Sequence, residues 1–196
     1  MDEIREKKLS IRQEMEQMMT ELPAGERDEK TKIIEDRLFE FANFVESRIP
    51  LLYISQGFEI ASESIIRKSY KQHKIVVLPV FEKDKRNVRL LKVDDFDNDL
   101  RPGGVRGVPE PDPEKCKKVP LDKVDIAIIP GLVFDEKGGR IGSGMGYYDR
   151  LIPKLSSTTR KVALCLEKQI VPLVPMETHD KYVDIIITDQ RIIYKI

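Results

Sequence analysis

The segment Val124–Pro130, which reads VDIAIIP, constrains the fold of this chain more than any other stretch. An apolar run of this kind suits a strand at the centre of a parallel sheet, where helices cover both faces. A glycine-rich segment, Pro130–Arg150, follows it directly. Ligands of open α/β sheets bind at the carboxyl ends of the strands. The glycine-rich segment therefore lies where a binding site is expected.

Helix and strand patterns alternate along the rest of the chain. The predicted helices are Asp2–Leu22, Glu26–Glu46, Ser62–Gln72 and Gly146–Leu155. The other predicted strands are Ile49–Ser55, Lys74–Val80, Asn87–Val93, Lys161–Leu166 and Tyr182–Thr188, with a short terminal edge at Arg191–Ile196. Asp94–Asp122, rich in Asp, Pro and Gly, predicts a long loop. The pattern predicts an α/β fold with a mostly parallel central sheet flanked by helices, as a single domain over 1–196 with a long N-terminal helix.

Composition excludes several classes of protein. Lys plus Arg and Asp plus Glu number 34 each, so no overall field favours nucleic acid or an anionic membrane. No apolar run approaches the roughly 20 residues that span a bilayer, and the first residues are charged, unlike a signal peptide. Cys116 and Cys165 are too few for a disulfide framework or a structural zinc site. We expect a cytoplasmic, monomeric protein that binds neither nucleic acid nor membranes.

The glycine-rich segment has the composition of a phosphate site. Glycine lets backbone N–H groups approach an anion closely, and successive N–H groups form a concave nest for negative charge. Arg140 adds a permanent cation with a planar donor fork, and Asp149 could hold a hard metal ion that bridges to the same phosphates. The segment lacks the Walker A pattern. It also has Tyr147 and Tyr148 where a dinucleotide-binding fingerprint has its final glycine. It is interpreted as a triphosphate site.

The string Arg140-x-Gly-x-Gly-x-Gly-Tyr-Tyr-Asp, preceded by PGLVFD, resembles the motif of the 5-formyltetrahydrofolate cyclo-ligase family, also called 5,10-methenyltetrahydrofolate synthetases. The resemblance covers most of the chain, including Gly107-Val-Pro-Glu-Pro in the long loop and the block Pro175–Thr188. It implies an enzyme that cyclises 5-formyltetrahydrofolate to 5,10-methenyltetrahydrofolate. The implied partners are a reduced folate and ATP as co-substrate, with Mg²⁺ as cofactor and ADP and phosphate as products.

The resemblance also implies roles for individual residues. The catalytic residues would be Arg140 and Tyr147. The ATP-binding residues would be Lys8, Arg12, Arg140, Ile141, Gly142, Ser143, Gly144, Met145, Gly146, Tyr147 and Tyr148. The folate-binding residues would be Ile54, Glu59, Ser143, Gly144, Met145, Gly146 and Tyr147. Mg²⁺ would be bound by Asp149 and Asp184, and His179 is expected to be structural.

Two departures from the family pattern and three alternatives accompany this interpretation. Many relatives carry a basic residue between the motif glycines, where this chain has Ser143 and Met145, and some carry an aromatic residue near Arg106. The first alternative is another α/β enzyme that binds a phosphosugar or nucleotide, such as a sugar-phosphate isomerase. The second is a non-catalytic regulator that binds a nucleotide or a folate. A dinucleotide oxidoreductase fits least well.

Overall fold

The computed structural model describes residues 2–83 and 87–195 as an α/β fold, which confirms the predicted fold class. The α-helices are α1 (Asp2–Glu21), α2 (Ala24–Glu40), α3 (Ala42–Glu46), α4 (Glu63–Lys71) and α5 (Tyr147–Leu151). Short 3₁₀ helices lie at Leu121–Lys123, Ile152–Lys154 and Glu167–Gln169. Within the described ranges, no helix is both long enough and apolar enough to cross a bilayer.

A central sheet organises the molecule. The strands are β1 (Pro50–Leu51), β2 (Val77–Phe81), β3 (Val88–Lys92), β4 (Leu100–Arg101), β5 (Glu110–Pro111), β6 (Lys118–Val119), β7 (Ile126–Ile129), β8 (Val133–Phe134), β9 (Arg140–Ile141), β10 (Arg160–Leu164), β11 (Ile185–Ile187) and β12 (Ile192–Tyr194). Eight of them form one sheet in the order β12-β11-β10-β7-β1-β2-β3-β6. The strands β2, β1, β7, β10 and β11 are parallel to one another. β12 and β3 pair antiparallel with the two ends of this set, and β6 pairs antiparallel with β3.

The centre of the sheet is the apolar strand that the sequence pattern predicts. All four residues of β7 are buried, and β7 pairs in parallel with β1 on one side and β10 on the other. A strand covered on both faces needs apolar side chains at every position, which is why its sequence shows no alternation. The strand ends at Ile129, so Pro130 and the glycine-rich segment lie at the carboxyl edge of the sheet.

Two predicted elements differ in the structure. The predicted helix Glu26–Glu46 is two helices, because Phe41 adopts an extended backbone (φ −70°, ψ 118°), and its side chain is buried. The predicted loop Asp94–Asp122 is not devoid of regular structure. It contains the antiparallel pair β4–β5 and the strand β6, which joins the edge of the main sheet beside β3. Two-residue strands leave too short a pattern for periodicity to reveal.

A small hairpin, β8–β9, carries Arg140 into the site. The buried Asp135 carboxylate holds its turn, because Oδ1 accepts hydrogen bonds from the backbone N–H groups of Lys137 and Gly139 at 2.9 and 2.8 Å. Its Oδ2 accepts a third, from the N–H of Val174 at 2.8 Å. Asp135 therefore fixes the turn that precedes Arg140 and ties it to the segment after β10.

Candidate active site

A cavity of about 440 Å³ opens at the carboxyl edge of the sheet, between helix α1 and the glycine-rich segment. Its wall on the sheet side comes from Pro130 and the residues after it. Its wall on the helix side comes from one face of α1, where Arg5, Lys8 and Arg12 are spaced at three and four residues. The remaining lining residues are Leu9, Glu59, Arg106, Arg140, Ile141, Gly142, Ser143, Gly144, Met145, Gly146, Tyr147, Tyr148, Asp149, Glu177, His179 and Asp180.

Arg140 is held firmly at the floor of the cavity. Its side chain is 3% exposed, and its Nη1 donates to the carbonyl oxygen of Pro130 at 3.0 Å while Nη2 donates to Asp149 Oδ1 at 2.8 Å. Its buried Nε has no hydrogen-bond partner among the residues that the structure describes. The guanidinium is therefore fixed in orientation, and its Nε is a buried donor without a partner in the described residues.

The glycine-rich loop between β9 and α5 needs glycine for its backbone shape. Gly144 and Gly146 have positive φ angles of 94° and 67°, which L-residues with a side chain rarely adopt. Arg12 Nε donates to the carbonyl oxygen of Gly142 at 2.8 Å, so α1 is bonded directly to the loop. Burial lowers the pKa of the Arg12 guanidinium from its ordinary value, although Asp180 opposes this. The loop thus lies beside a fixed cation.

Lys8 is buried against two carboxylates. Its Nζ donates to Glu177 Oε2 at 2.9 Å and also to the carboxylate of Asp180. The three side chains are 8%, 11% and 9% exposed, so the group is nearly removed from water. A lysine in this position can exchange its hydrogen bond to one of these carboxylates for a hydrogen bond to a phosphate oxygen, because its ammonium group is a point charge on a flexible stem.

The other end of the cavity holds a second buried ion pair. Arg106 Nη2 donates to Oε1 and Oε2 of Glu59 at 3.0 and 3.2 Å, and these side chains are 7% and 3% exposed. The backbone N–H of Gln56 also donates to Glu59 Oε2 at 3.0 Å. Burial raises the pKa of the Glu59 carboxyl above its ordinary value, and Arg106 works against this rise. Glu59 is therefore a buried acceptor at the cavity wall.

Two tyrosines line the cavity next to the glycine-rich loop. The rings of Tyr147 and Tyr148 pack on Phe81, with centroids 4.9 and 5.3 Å apart. The Arg106 guanidinium lies over the Tyr148 ring, 5.3 Å from its centroid. The Tyr148 hydroxyl is buried without a hydrogen-bond partner in the described ranges, and burial raises its pKa. These rings give the cavity an apolar wall.

The two predicted metal ligands do not share this cavity. Asp149 lines it and is 18% exposed, with Oδ1 accepting also from the backbone N–H of Lys181 at 3.1 Å. Asp184 is not a lining residue, because it precedes β11 at the amino edge of the sheet. There its Oδ2 accepts the N–H of Lys161 at 2.9 Å. The direction of this strand places Asp184 at the amino edge of the sheet, so its predicted role as a metal ligand with Asp149 stays a prediction.

A second set of side chains with metal-ligating atoms lines the cavity. Glu177, His179 and Asp180 each present a ligand atom, and these atoms lie within 4.8 Å of one another. His179 is 63% exposed, with Nε2 3.7 Å from Glu177 Oε2 and 3.5 Å from Asp180 Oδ1. The expected structural role of His179 stays a prediction. The histidine lies in the cavity wall.

Most of the predicted site residues come together. Lys8, Arg12, Glu59, Asp149 and the residues from Arg140 to Tyr148 line one cavity although they come from distant parts of the chain. Ile54 is outside that lining, and its carbonyl oxygen accepts a hydrogen bond from Arg106 Nη1 at 3.4 Å.

Sequence reasoning missed the role of Arg106 and of the acids that hold Lys8. The only signal for Arg106 was its place where some relatives carry an aromatic residue. For Glu177 and Asp180, the signal was their position in the block Pro175–Thr188. Neither signal says which side chains turn into the cavity.

Comparison with known proteins gives a consistent result. The model of the 5-formyltetrahydrofolate cyclo-ligase family matches residues 4–189. A Caenorhabditis elegans protein named "Probable 5-formyltetrahydrofolate cyclo-ligase" is 29% identical over 197 residues, covering 95% of each chain. The Mus musculus 5-formyltetrahydrofolate cyclo-ligase is 26% identical, covering 90% of this chain and 91% of that protein. The solved structure of Aquifex aeolicus 5,10-methenyltetrahydrofolate synthetase superposes with a TM-score of 0.82 at 25% identity, over 95% of this chain and 92% of the other.

Proposed function

The chain belongs to the 5-formyltetrahydrofolate cyclo-ligase family, and we propose that it uses ATP and Mg²⁺ to cyclise 5-formyltetrahydrofolate to 5,10-methenyltetrahydrofolate. One observation carries the proposal. A single cavity has a glycine-lined end with cationic side chains and an end with a buried carboxylate acceptor, and two tyrosines also line it. The first end suits a triphosphate and the second suits the N–H donors of a pterin ring.

The proposed chemistry needs no protein nucleophile. The formyl oxygen attacks the γ-phosphorus of ATP, a P–O bond forms, and ADP leaves with the electron pair of the broken bond. The N10 amine then attacks the formyl carbon, N10 loses its proton, and the carbon–oxygen bond breaks to release phosphate. The product ring carries the positive charge of the methenyl group. Phosphoryl transfer of this kind depends on positioning and on neutralising charge.

The residues of the cavity supply those two requirements. The Arg140 guanidinium would bind the γ-phosphoryl oxygens, where negative charge develops. The loop from Gly142 to Gly146 would hold the other phosphates on its backbone N–H groups. Lys8 and Arg12 would bind phosphate oxygens from the α1 side. Tyr147, at the boundary between the two ends, would keep the formyl group against the phosphate and exclude water.

The site also fits a magnesium ion. Mg²⁺ is held by one or two carboxylates together with substrate phosphates and water, and the partly exposed Asp149 carboxylate lines the phosphate end. When bound, the ion would neutralise phosphate charge and bridge phosphate oxygens. We propose Asp149 as its protein ligand. The role of Asp184 as a second ligand stays a prediction, and its contact with Lys161 does not support it.

The experiment that tests the proposed function is a direct assay. Purified protein is mixed with 5-formyltetrahydrofolate, ATP and Mg²⁺, and the absorbance of the methenyl product is followed. We expect product only when ATP and Mg²⁺ are both present. A folded protein that forms no product with all three at saturating concentrations would favour a phosphosugar enzyme or a non-catalytic binding protein.

Arg12 gives a prediction for ATP binding. Arg12→Met removes a charged donor beside the glycine loop, and hydrogen bonds to charged groups contribute about 1.5–3 kcal/mol. The KM for ATP should therefore rise about ten- to a hundredfold, with the KM for folate nearly unchanged. Steady-state kinetics with each substrate varied in turn measures this. Lys7→Met is the matched control, because Lys7 is 60% exposed on the same helix and pairs with Glu3. An equal change in both variants would contradict the assignment.

Asp149 gives a prediction for the metal. Asp149→Asn keeps a hydrogen-bond acceptor but loses the charge that binds a hard cation. The Mg²⁺ concentration that supports half-maximal activity should rise about tenfold or more. A titration of activity with Mg²⁺ at fixed ATP measures it. Asp184→Asn is the comparison. An equal rise in the half-maximal Mg²⁺ concentration would indicate that Asp184 also binds the metal, whereas an unchanged titration would agree with its position beside Lys161.

A further inference from the structure

Arg106 lines the cavity beside Glu59 and pairs with it. It lies at the tip of the β4–β5 hairpin, between Gly103 and Gly107, whose φ angles of 85° and 78° permit a tight turn. The backbone N–H of Gly107 donates to the carbonyl oxygen of Gly104 at 2.8 Å, which closes this turn. The hairpin thereby directs one arginine into the interior of the cavity, where it is 7% exposed.

The contacts of Arg106 are those that a pterin would need. A guanidinium is flat and carries N–H donors on nitrogens that share one carbon. The 2-amino-4-oxopyrimidine part of a pterin has the same arrangement, with the 2-amino group and the neighbouring ring N–H. In the structure, one guanidinium nitrogen, Nη2, donates to both oxygens of Glu59, and the guanidinium lies over the ring of Tyr148. A carboxylate acceptor and a flat aromatic surface would serve a pterin equally well.

Arg106 and the substrate cannot both hold Glu59 in this way. Glu59 is 3% exposed, and one of its oxygens already accepts the N–H of Gln56, so little acceptor capacity remains for a second flat donor group. A buried carboxylate is costly without a partner. The N–H donors of a bound substrate must therefore replace the Arg106 guanidinium at the Glu59 carboxylate.

We propose that Arg106 determines the specificity of the folate end by occupying it, so that only a ligand that brings N–H donors of its own to Glu59 can displace the arginine. This inference rests on the proposed function and adds a residue to it. A ligand that lacks such donors would leave Glu59 unpaired when it displaced Arg106, and a site that buries an unpaired acceptor discriminates strongly against such a ligand. The substrate class is then a reduced pterin with its 2-amino group intact.

The proposal predicts that removing the arginine strengthens folate binding. The apparent dissociation constant equals the intrinsic one divided by the fraction of molecules in which the pocket is open. Arg106→Ala should therefore lower the dissociation constant for 5-formyltetrahydrofolate by about tenfold, and Arg106→Lys, which lacks the planar fork, by less. Calorimetric titration measures both. Arg101→Ala is the matched control, because Arg101 lies in the same hairpin, pairs with Glu110 at 2.9 Å and is 47% exposed.

A second measurement applies even if Arg106→Ala is less stable than the wild type. Guanidinium chloride at low millimolar concentration should bind in the vacated space of Arg106→Ala and compete with folate, raising its dissociation constant towards the wild-type value. The wild type and Arg101→Ala should show no such competition at the same ionic strength, set with sodium chloride.

Three outcomes would overturn the inference. The first is weaker folate binding by Arg106→Ala that guanidinium restores, which would make Arg106 a contact of the bound substrate. The second is a dissociation constant that is the same in all variants. The third is a wild-type protein that neither binds nor converts 5-formyltetrahydrofolate. That result would remove the proposed function as well, whereas the first two leave it standing.

Discussion

Replacing Arg140 with alanine is expected to lower the turnover number about a hundredfold or more, with folding retained. The guanidinium is 3% exposed and fixed by Pro130 and Asp149, so it is preorganised towards charge that develops on the transferred phosphoryl group. An interaction that strengthens only in the transition state changes kcat rather than KM. Single-turnover kinetics with saturating ATP and folate measures the effect on the chemical step.

Two further variants show whether the effect depends on the charge and shape of the Arg140 side chain. Arg140→Lys keeps the charge but loses the planar fork, so it should recover only part of the rate. Arg160→Ala, which removes an exposed arginine at the start of β10, should leave turnover unchanged. A folded Arg140→Ala protein with near-normal turnover would contradict the role of Arg140, and the γ-phosphate would then have to be stabilised from α1.

Replacing Gly138 with alanine is expected to lower the free energy of unfolding by about 3 kcal/mol. Gly138 has a φ of 83°, and a Cβ atom there would lie 2.2 Å from the backbone carbonyl oxygen of Val183. The contact is with backbone, so no side-chain rotation relieves it. The same position joins the β8–β9 turn to the segment before β11, because the N–H of Val183 donates to the carbonyl oxygen of Gly138 at 2.9 Å.

Urea denaturation measures this effect, and Gly25→Ala is the control. Gly25 lies near the start of α2, and nothing lies within 4 Å of the position that a Cβ atom would take there. Alanine should therefore be neutral at this site or stabilise the protein by up to about 1 kcal/mol. Equal unfolding free energies for the two variants would show that the turn before Arg140 is not rigid. The hairpin would then not be what fixes that arginine.

The sequence predicts the parts of this fold whose patterns are long. The apolar strand β7 and the helix α1 each carry a continuous signal, and their predicted bounds lie close to the observed ones. The hairpin that carries Arg106 has strands of two residues, which is too short for a periodic pattern. Its existence depends on contacts with distant parts of the chain rather than on local propensity.

The candidate site was predictable to a similar degree. The glycine-rich string identifies its own residues, because only glycine suits positive φ angles such as those of Gly144 and Gly146. Asp180 and Asp184 belong to one short block, yet only Asp180 lines the cavity. Asp184 lies outside the cavity because it precedes β11 at the amino edge of the sheet. Spacing along the chain does not contain that information.

The route of the formyl oxygen tests the central claim most directly. 5-Formyltetrahydrofolate labelled with the heavy oxygen isotope in its formyl group is converted in unlabelled water with ATP and Mg²⁺, and the released phosphate is analysed by mass spectrometry. The account predicts one labelled oxygen in each phosphate, because the formyl oxygen attacks phosphorus and leaves with it. Methenyl product accompanied by unlabelled phosphate would contradict the account, since ATP would then be hydrolysed without activating the formyl group.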